Sequence, residues 1–523
     1  MGGGVSLLPR PHSSVPFFAL MFRAPDRIKL ALADKSAVDV VRKAAREAWP
    51  SGFQYDGPVH DGSYEMKFRG MPFARAGGHE TAVAAKKVAL RILSRLYETG
   101  WELQLSSDLS RSTDLTTWFF QRLCTERAPR HMFCLSLSSH DCLQMINGTD
   151  QLKRILKEAV LTSYGPGLQD ERNYNEDYNL KLRGYPWQTT ALEEGVWARK
   201  CILQIIRLFH LRQYRFYGTV DLKGTADSIF FIYDESINTT DQFCMVSLNQ
   251  NDRLRLVDCT VDAIDTARAA IENCWPGGLQ EEGDLDGMAW EFKMKGYPWW
   301  ADGAESVSCR WFLTALFQML LAKGWCVVRS LDISRRLNDK AVFVLKSCPA
   351  ANLAHFCLSL NEIDKMRVIN AQPGVVDMIR QAIQNTWPYG IAKELNYFNS
   401  HEIKLNGNPW SSYSGNEPLL ARAMMCYILR AFCQSGWRVI SSSDVSAKYH
   451  SSSNGPDYPL DVHSWFIAYT GVVPTRFGEE ELDDVSNIEQ DTDANRRAPS
   501  PPPTYDQAVE GDGTQQNNVA RKG

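Results

Sequence analysis

Glu291-Phe-Lys-Met-Lys-Gly-Tyr-Pro-Trp299 has three relatives in the same chain. They are Glu65-Met-Lys-Phe-Arg-Gly-Met-Pro72, Asn179-Leu-Lys-Leu-Arg-Gly-Tyr-Pro-Trp187 and Glu402-Ile-Lys-Leu-Asn-Gly-Asn-Pro-Trp410. The glycines stand at Gly70, Gly184, Gly296 and Gly407, so the copies are 114, 112 and 111 residues apart. A fixed period of this length means a tandem array. Within each copy charged and apolar residues alternate, as Glu291, Lys293 and Lys295 do with Phe292 and Met294. Period two predicts a strand with one buried and one wet face. The Gly-x-Pro that follows ends the strand, because glycine takes positive φ and proline removes a ladder donor. Trp187, Trp299 and Trp410 come next, and large aromatics of this kind serve the core as plugs between strand and helix.

Working outward, the same order of signals surrounds each copy. In the first unit Phe17–Phe22 and Arg27–Leu32 read as a hairpin around a Pro-Asp turn. Residues 37–48 read as a helix closed by Trp49-Pro50, and residues 78–98 as a longer helix with Ala85, Ala89, Ile92, Leu93 and Leu96 on one face. Gly100-Trp101 opens a further strand, Asp108-Leu-Ser110 marks a turn, and Trp118-Phe-Phe120 lies in the last strand. The prediction is an α+β chain of four modules, each β-β-α-β-α-β-β with helices packed on a mainly antiparallel sheet. The boundaries read as 15–122, 131–234, 242–346 and 354–470, with disordered residues 1–14 before them and an acidic, Pro-rich tail, 471–523, after them. Units of this size can each own a core. Module two departs from the others: Trp-Pro becomes Tyr164-Gly165, Gly-Trp becomes Gln213-Tyr214, and Asp-x-Ser becomes Asp221-Leu-Lys223.

Composition excludes several classes. The 523 residues carry a net charge of −4, so no global field draws the chain to nucleic acid. No apolar run reaches the roughly 20 residues of a membrane span, and no secretory leader is recognisable. The 13 cysteines form no Cys-x-x-Cys pair, which fits free, reduced thiols inside a cell and a cytoplasmic protein. The ten histidines do not cluster at ligand spacing, so no metal and no cofactor is expected. No phosphate loop, nucleophile elbow, His-Glu-x-x-His helix or kinase set occurs, and no catalytic residue is assigned. The repeated Asp-x-Ser reads as a turn rather than a catalytic pair.

Three features point to binding. Lys86, Arg199, Arg310 and Arg422 recur early in the four long helices and, with the lysines of the repeated strands, form a candidate anion-binding set for phosphoinositide or RNA. Acidic neighbours and the negative net charge favour the alternative, in which these cations make ion pairs within the modules or stand on solvated faces. Gly2 and Ser6 fit the myristoylation pattern, and a single such chain supports only weak peripheral membrane contact.

In the tail, Pro499-Ser-Pro-Pro-Pro-Thr-Tyr505 presets a polyproline II segment. Pro502, Pro503 and Tyr505 resemble the PPxY ligand of WW domains, modules characteristic of HECT-type ubiquitin ligases. The resemblance implies that the prolines fill an aromatic groove and the tyrosine a second pocket. The expected function is therefore a non-enzymatic scaffold, or adaptor, whose array binds a protein cargo and whose tail recruits a WW-domain protein. The alternatives are a phosphoinositide- or RNA-binding repeat protein and an enzyme of unrecognised type.

Overall fold

The computed structural model describes residues 16–59, 62–74, 77–109, 114–174, 177–222, 226–334, 340–411, 416–446, 449–450, 458–459 and 461–472. The expectations for Gly2, Pro502, Pro503 and Tyr505 lie outside these residues.

Module one shows the plan. Strands Phe17–Arg23 and Arg27–Ala31 form the hairpin, and helix Lys35–Ala48 follows. Strands Phe53–Pro58 and Tyr64–Phe68 come next, then the long helix His79–Glu98, the strand Trp101–Ser107 and the last strand Asp114–Arg122. The short helix starts where Asp34 accepts a hydrogen bond from the Ala37 N–H at 2.7 Å, and Thr149 and Thr260 cap the second and third modules in the same way. All four sheets have six antiparallel strands in one spatial order, 3-4-2-1-6-5 in the order of the module's own chain. A two-stranded pairing, Tyr449–His450 with Tyr458–Pro459, is added in module four. The α+β class and the four tandem repeats are as expected from the sequence.

Each sheet has one strand more than the pattern predicts. Phe53–Pro58, Leu168–Tyr174, Leu279–Asp284 and Ile391–Tyr397 pair with the repeated strands at the outer edge of each sheet. They are short, bulged and rich in Gln, Asp and Glu, the devices that keep an exposed edge from recruiting other strands. Their polarity is also why periodicity missed them.

The repeated stretch behaves as its chemistry requires. Gly70, Gly184, Gly296 and Gly407 all have φ between 78° and 88°. Trp187, Trp299 and Trp410 are buried, and their indoles donate to Cys142 O, Arg253 O and Lys365 O at 3.1, 2.9 and 3.0 Å. A second aromatic pins the strand end from the short helix. Trp49, Trp275 and Trp387 donate to Arg69 O, Lys295 O and Asn406 O at 2.9, 2.8 and 2.9 Å. In module two Tyr164 takes that place, and its hydroxyl donates to Arg183 O at 2.7 Å.

The four modules close on themselves. The long helix of module one packs on the first hairpin of module two, Met132–Ser138 and Cys142–Ile146. Leu192–His210 packs likewise on module three and Gly303–Ala322 on module four, and Glu417–Gln434 returns to the hairpin of module one. Head-to-tail contacts whose rotation closes make a ring. Every sheet is therefore covered on both faces, by its own helices and by the preceding module's long helix. The apolar clusters record this: Phe18, Leu20 and Phe22 pack in module one's own core, while Phe17, Ala19 and Met21 pack with module four.

Candidate functional site

Chemistry-bearing side chains gather at the four joints and along the inner side of the ring. The recurring cations are at the joints. Lys86 donates from Nζ to Gln144 Oε1 at 2.9 Å and to Ser138 Oγ at 3.1 Å, both in module two. Arg199 Nε donates to Ser247 Oγ of module three at 2.6 Å. Arg310 donates to Ser464 Oγ and Ser446 Oγ of module four at 2.8 and 3.2 Å. Arg422, on the helix that reaches module one, donates to Pro418 O at 3.3 Å. All four are buried, Arg310 and Arg422 to 1% exposure. The structure thus places these candidate anion ligands between modules, rather than on a shared surface. Lys86, Arg199 and Arg310 reach hydroxyl and amide groups of the next module. Ion pairs also stand on the repeated strands. Glu65 meets Lys29 at 2.9 Å, Glu291 meets Arg255 at 2.7 Å and Glu402 meets Arg367 at 2.7 Å.

Module two replaces that pair with the neutral Gln144 and Asn179, and beside it lies a cleft of about 740 Å³. The cleft runs between the start of the first long helix and the sheet of module two, with His79, Glu80, Lys87, Asp170, Arg172 and Lys181 among its walls. Arg172 is 2.7 Å from Asp170, so part of its charge is already paired.

The Asp-x-Ser turns also serve the joints. Asp332 and Asp444 accept the N–H of Ser334 and Ser446 at 2.9 and 3.0 Å, the expected turn. The same turns meet the last strand of the preceding module. Asp221 N–H donates to Thr116 Oγ1 at 2.9 Å, Asp332 N–H to Asp227 Oδ2 at 2.7 Å, and Asp108 N–H to His463 Nδ1 at 3.2 Å. Burial pushes the Asp227 carboxyl up to about 7, against the Asp332 N–H that favours its charged form. Burial pulls the His463 imidazole down to about 4, so it is neutral and accepts.

Four edge strands, Trp101–Ser107, Tyr214–Val220, Trp325–Leu331 and Trp437–Ser443, converge on the inside of the ring. Each is bulged at the same place, opposite the last strand, at Gln104, Tyr217, Val328 and Ile440. A bulge re-aims the residues beside it. Arg215 and Glu102 meet there across modules at 2.9 Å, and Arg215 also reaches Asp234 at 2.9 Å. Arg329, one step past the bulge of module three, donates to Val328 O at 3.1 Å and has no carboxylate within ion-pair distance among the described residues. The surrounding protein, and then the charge of Arg215, lower its pKa from the ordinary arginine range. No described group of His, Cys, Asp and Glu has the arrangement of a metal site. Among the described residues no helix is long and apolar enough to cross a membrane.

One family model matches the chain four times, over residues 16–121, 131–233, 242–346 and 354–468. The chain belongs to that domain family. The four matches coincide with the four modules, so the family's unit is one sheet with its two helices, and this chain joins four of them in a ring. No curated protein and no solved structure matches the chain.

The sequence singled out the joint cations but not their partners, because Ser138, Ser247 and Ser464 are ordinary strand residues. Arg329 was not singled out. The one signal for it was its place in the opening strand after Gly324-Trp325, where the other modules have Leu105, Gly218 and Ser441.

Proposed function

We propose that this chain is a non-enzymatic adaptor of the cytoplasm. Its ring of modules holds a protein cargo, and its tail recruits a WW-domain protein such as a HECT-type ubiquitin ligase. One observation carries the reading: Pro502-Pro503-Thr504-Tyr505 stands in a proline-bearing segment that follows the last module on the same chain. Two sites on one chain raise each other's effective concentration, which is what an adaptor uses. The use of the recurring cations as joints also supports a body built to be rigid. The test compares full-length protein with Tyr505→Ala by affinity capture and mass spectrometry. WW-domain partners are expected to vanish while the remaining partners, the cargo, persist. Equal recovery of WW-domain proteins with both forms would end this reading of the tail.

A second reading, a phosphorylated ligand held inside the ring, is favoured by Arg329, a half-buried guanidinium with no carboxylate within ion-pair distance among the described residues. A charge drawn partly out of water costs free energy unless an opposite charge comes to it. Inositol phosphates are expected to raise the melting temperature of the wild type and to lose that effect with Arg329→Gln. An equal shift in both proteins would remove Arg329 from the account.

A further inference from the structure

Module three carries a feature that the internal symmetry of the ring makes readable. In module two the inner strand and the chain after the last strand bring two side chains together: Asp234 N–H donates to Gln213 O at 2.7 Å, and Arg215 Nε then lies 2.9 Å from Asp234 Oδ2. In module three the same backbone contact joins Cys348 N–H to Gly324 O at 2.9 Å. Cys326 stands where Arg215 stands, and Cys348 where Asp234 stands. The two positions that make an ion pair in one module therefore hold two thiols in the next.

The surroundings suit a reactive sulfur. Cys326 pairs with Lys346 across the strands, its sulfur is 3.5 Å from Lys346 O, and the Lys346 ammonium is held at 2.6 Å by Asp241. Neither thiol is fully buried, so a small molecule can reach them. The Cys348 thiol, and after it the charge of Lys346, lower the Cys326 pKa to about 7 in spite of burial. The Cys348 thiol is pushed up by its neighbour and by burial. The deeply buried thiols behave oppositely: burial raises Cys134, Cys201, Cys309 and Cys357 to about 12.

We propose that Cys326 and Cys348 are a redox modification site, at which a hydroperoxide converts the thiol pair into a disulfide. The Cys326 thiolate attacks one peroxide oxygen. An S–O bond forms, the O–O bond breaks, and the hydroxide released takes up a proton to become water. The Cys348 sulfur then attacks the sulfenic sulfur of Cys326. The S–S bond forms, the S–O bond breaks, and the departing hydroxide takes the Cys348 proton and leaves as water. Two thiols and one hydrogen peroxide become one disulfide and two waters, with the sulfurs oxidised and the peroxide reduced. The new bond would tie the chain leaving module three to the inner edge strand of that module, at the point where Asp241 and Lys346 already join it to the preceding linker.

The test treats full-length reduced protein with hydrogen peroxide, blocks the remaining thiols with an alkylating reagent and maps the peptides. In the wild type a Cys326–Cys348 linked peptide is expected, with the deeply buried thiols still alkylated after unfolding. Cys348→Ser is expected to stop at the sulfenic acid, which dimedone labels at residue 326. Cys326→Ser is expected to leave Cys348 free to alkylate. A second pair in the same module, Cys244 and Cys259, is the internal comparison, since Cys244 is buried and its pKa is raised. Oxidation at Cys244–Cys259 with Cys326 untouched would overturn the proposal. So would a Cys348→Ser protein in which residue 326 takes no dimedone while its folded state, by circular dichroism, is unchanged.

Discussion

At the residue scale, one carboxyl reports on the joint between modules two and three. Asp227 accepts the Asp332 N–H, and burial holds its pKa near 7. In the unfolded chain an aspartate titrates near 3.9. The folded state therefore binds this proton more tightly. Asp227's contribution is fully present below about pH 4 and is lost as pH rises through about 7. An asparagine keeps an oxygen that can accept the Asp332 N–H and carries no charge. Asp227→Asn is expected to gain on the order of 1–2 kcal/mol at pH 8.5, with partial exposure limiting the figure, and to gain little at pH 5. Urea unfolding at the two pH values checks this, and equal gains at both would show that the charge is not the cause.

At the element scale, each long helix does two tasks. Its own-sheet face is apolar, as Phe312, Leu316 and Leu320 are in Gly303–Ala322, and one buried cation near its start reaches into the next module. Arg310 satisfies Ser464, Ser446 and the Ser306 carbonyl, the last at 3.0 Å. Replacing it by methionine retains much of the volume but leaves two buried hydroxyls without their donor. Arg310→Met is expected to cost about 2–4 kcal/mol. Hydrogen exchange should rise first at the joint of modules three and four, around Ser464, rather than in modules one and two. Uniform loosening of all four modules would mean that the joint is not a local unit.

At the scale of the whole molecule, closure sets what the parts can do alone. A module taken out of the ring exposes the sheet face that its predecessor's helix covers, such as Phe17, Ala19 and Met21 in module one. Contiguous apolar faces of this kind drive association. Two halves, residues 16–237 and 238–472, each have one free helix face and one free sheet face that match those of the other half. Mixed or co-expressed, they are expected to form a one-to-one complex with the mass of the ring by light scattering, while each half alone self-associates. Two stable, monomeric halves that ignore each other would show that the ring is not held by these faces.

How much of this was legible in the sequence differs by element. The repeated strand, its positive-φ glycine, the buried tryptophan and the two helices of each module follow from local rules, because periodicity, turn chemistry and side-chain size act over a few residues. The outer edge strands Phe53–Pro58, Leu168–Tyr174, Leu279–Asp284 and Ile391–Tyr397 do not, since an exposed edge is selected for polarity and resembles a loop. The roles of Lys86, Arg199 and Arg310 depend on hydroxyls from about 50 to about 150 residues away in the chain. Only the docking of one module on the next brings those hydroxyls within reach. The continuous apolar run Phe17–Phe22 did hold a clue: a strand wet on one face alternates, and one covered on both faces need not. The sequence by itself determined four α+β units and the chemistry of their turns, because those depend on neighbours along the chain. The tertiary structure decided that the units close into a ring and that the recurring cations are at its joints, because each of these requires surfaces distant in sequence to pack against one another, and strand pairing within module three decided that Cys326 lies beside Cys348.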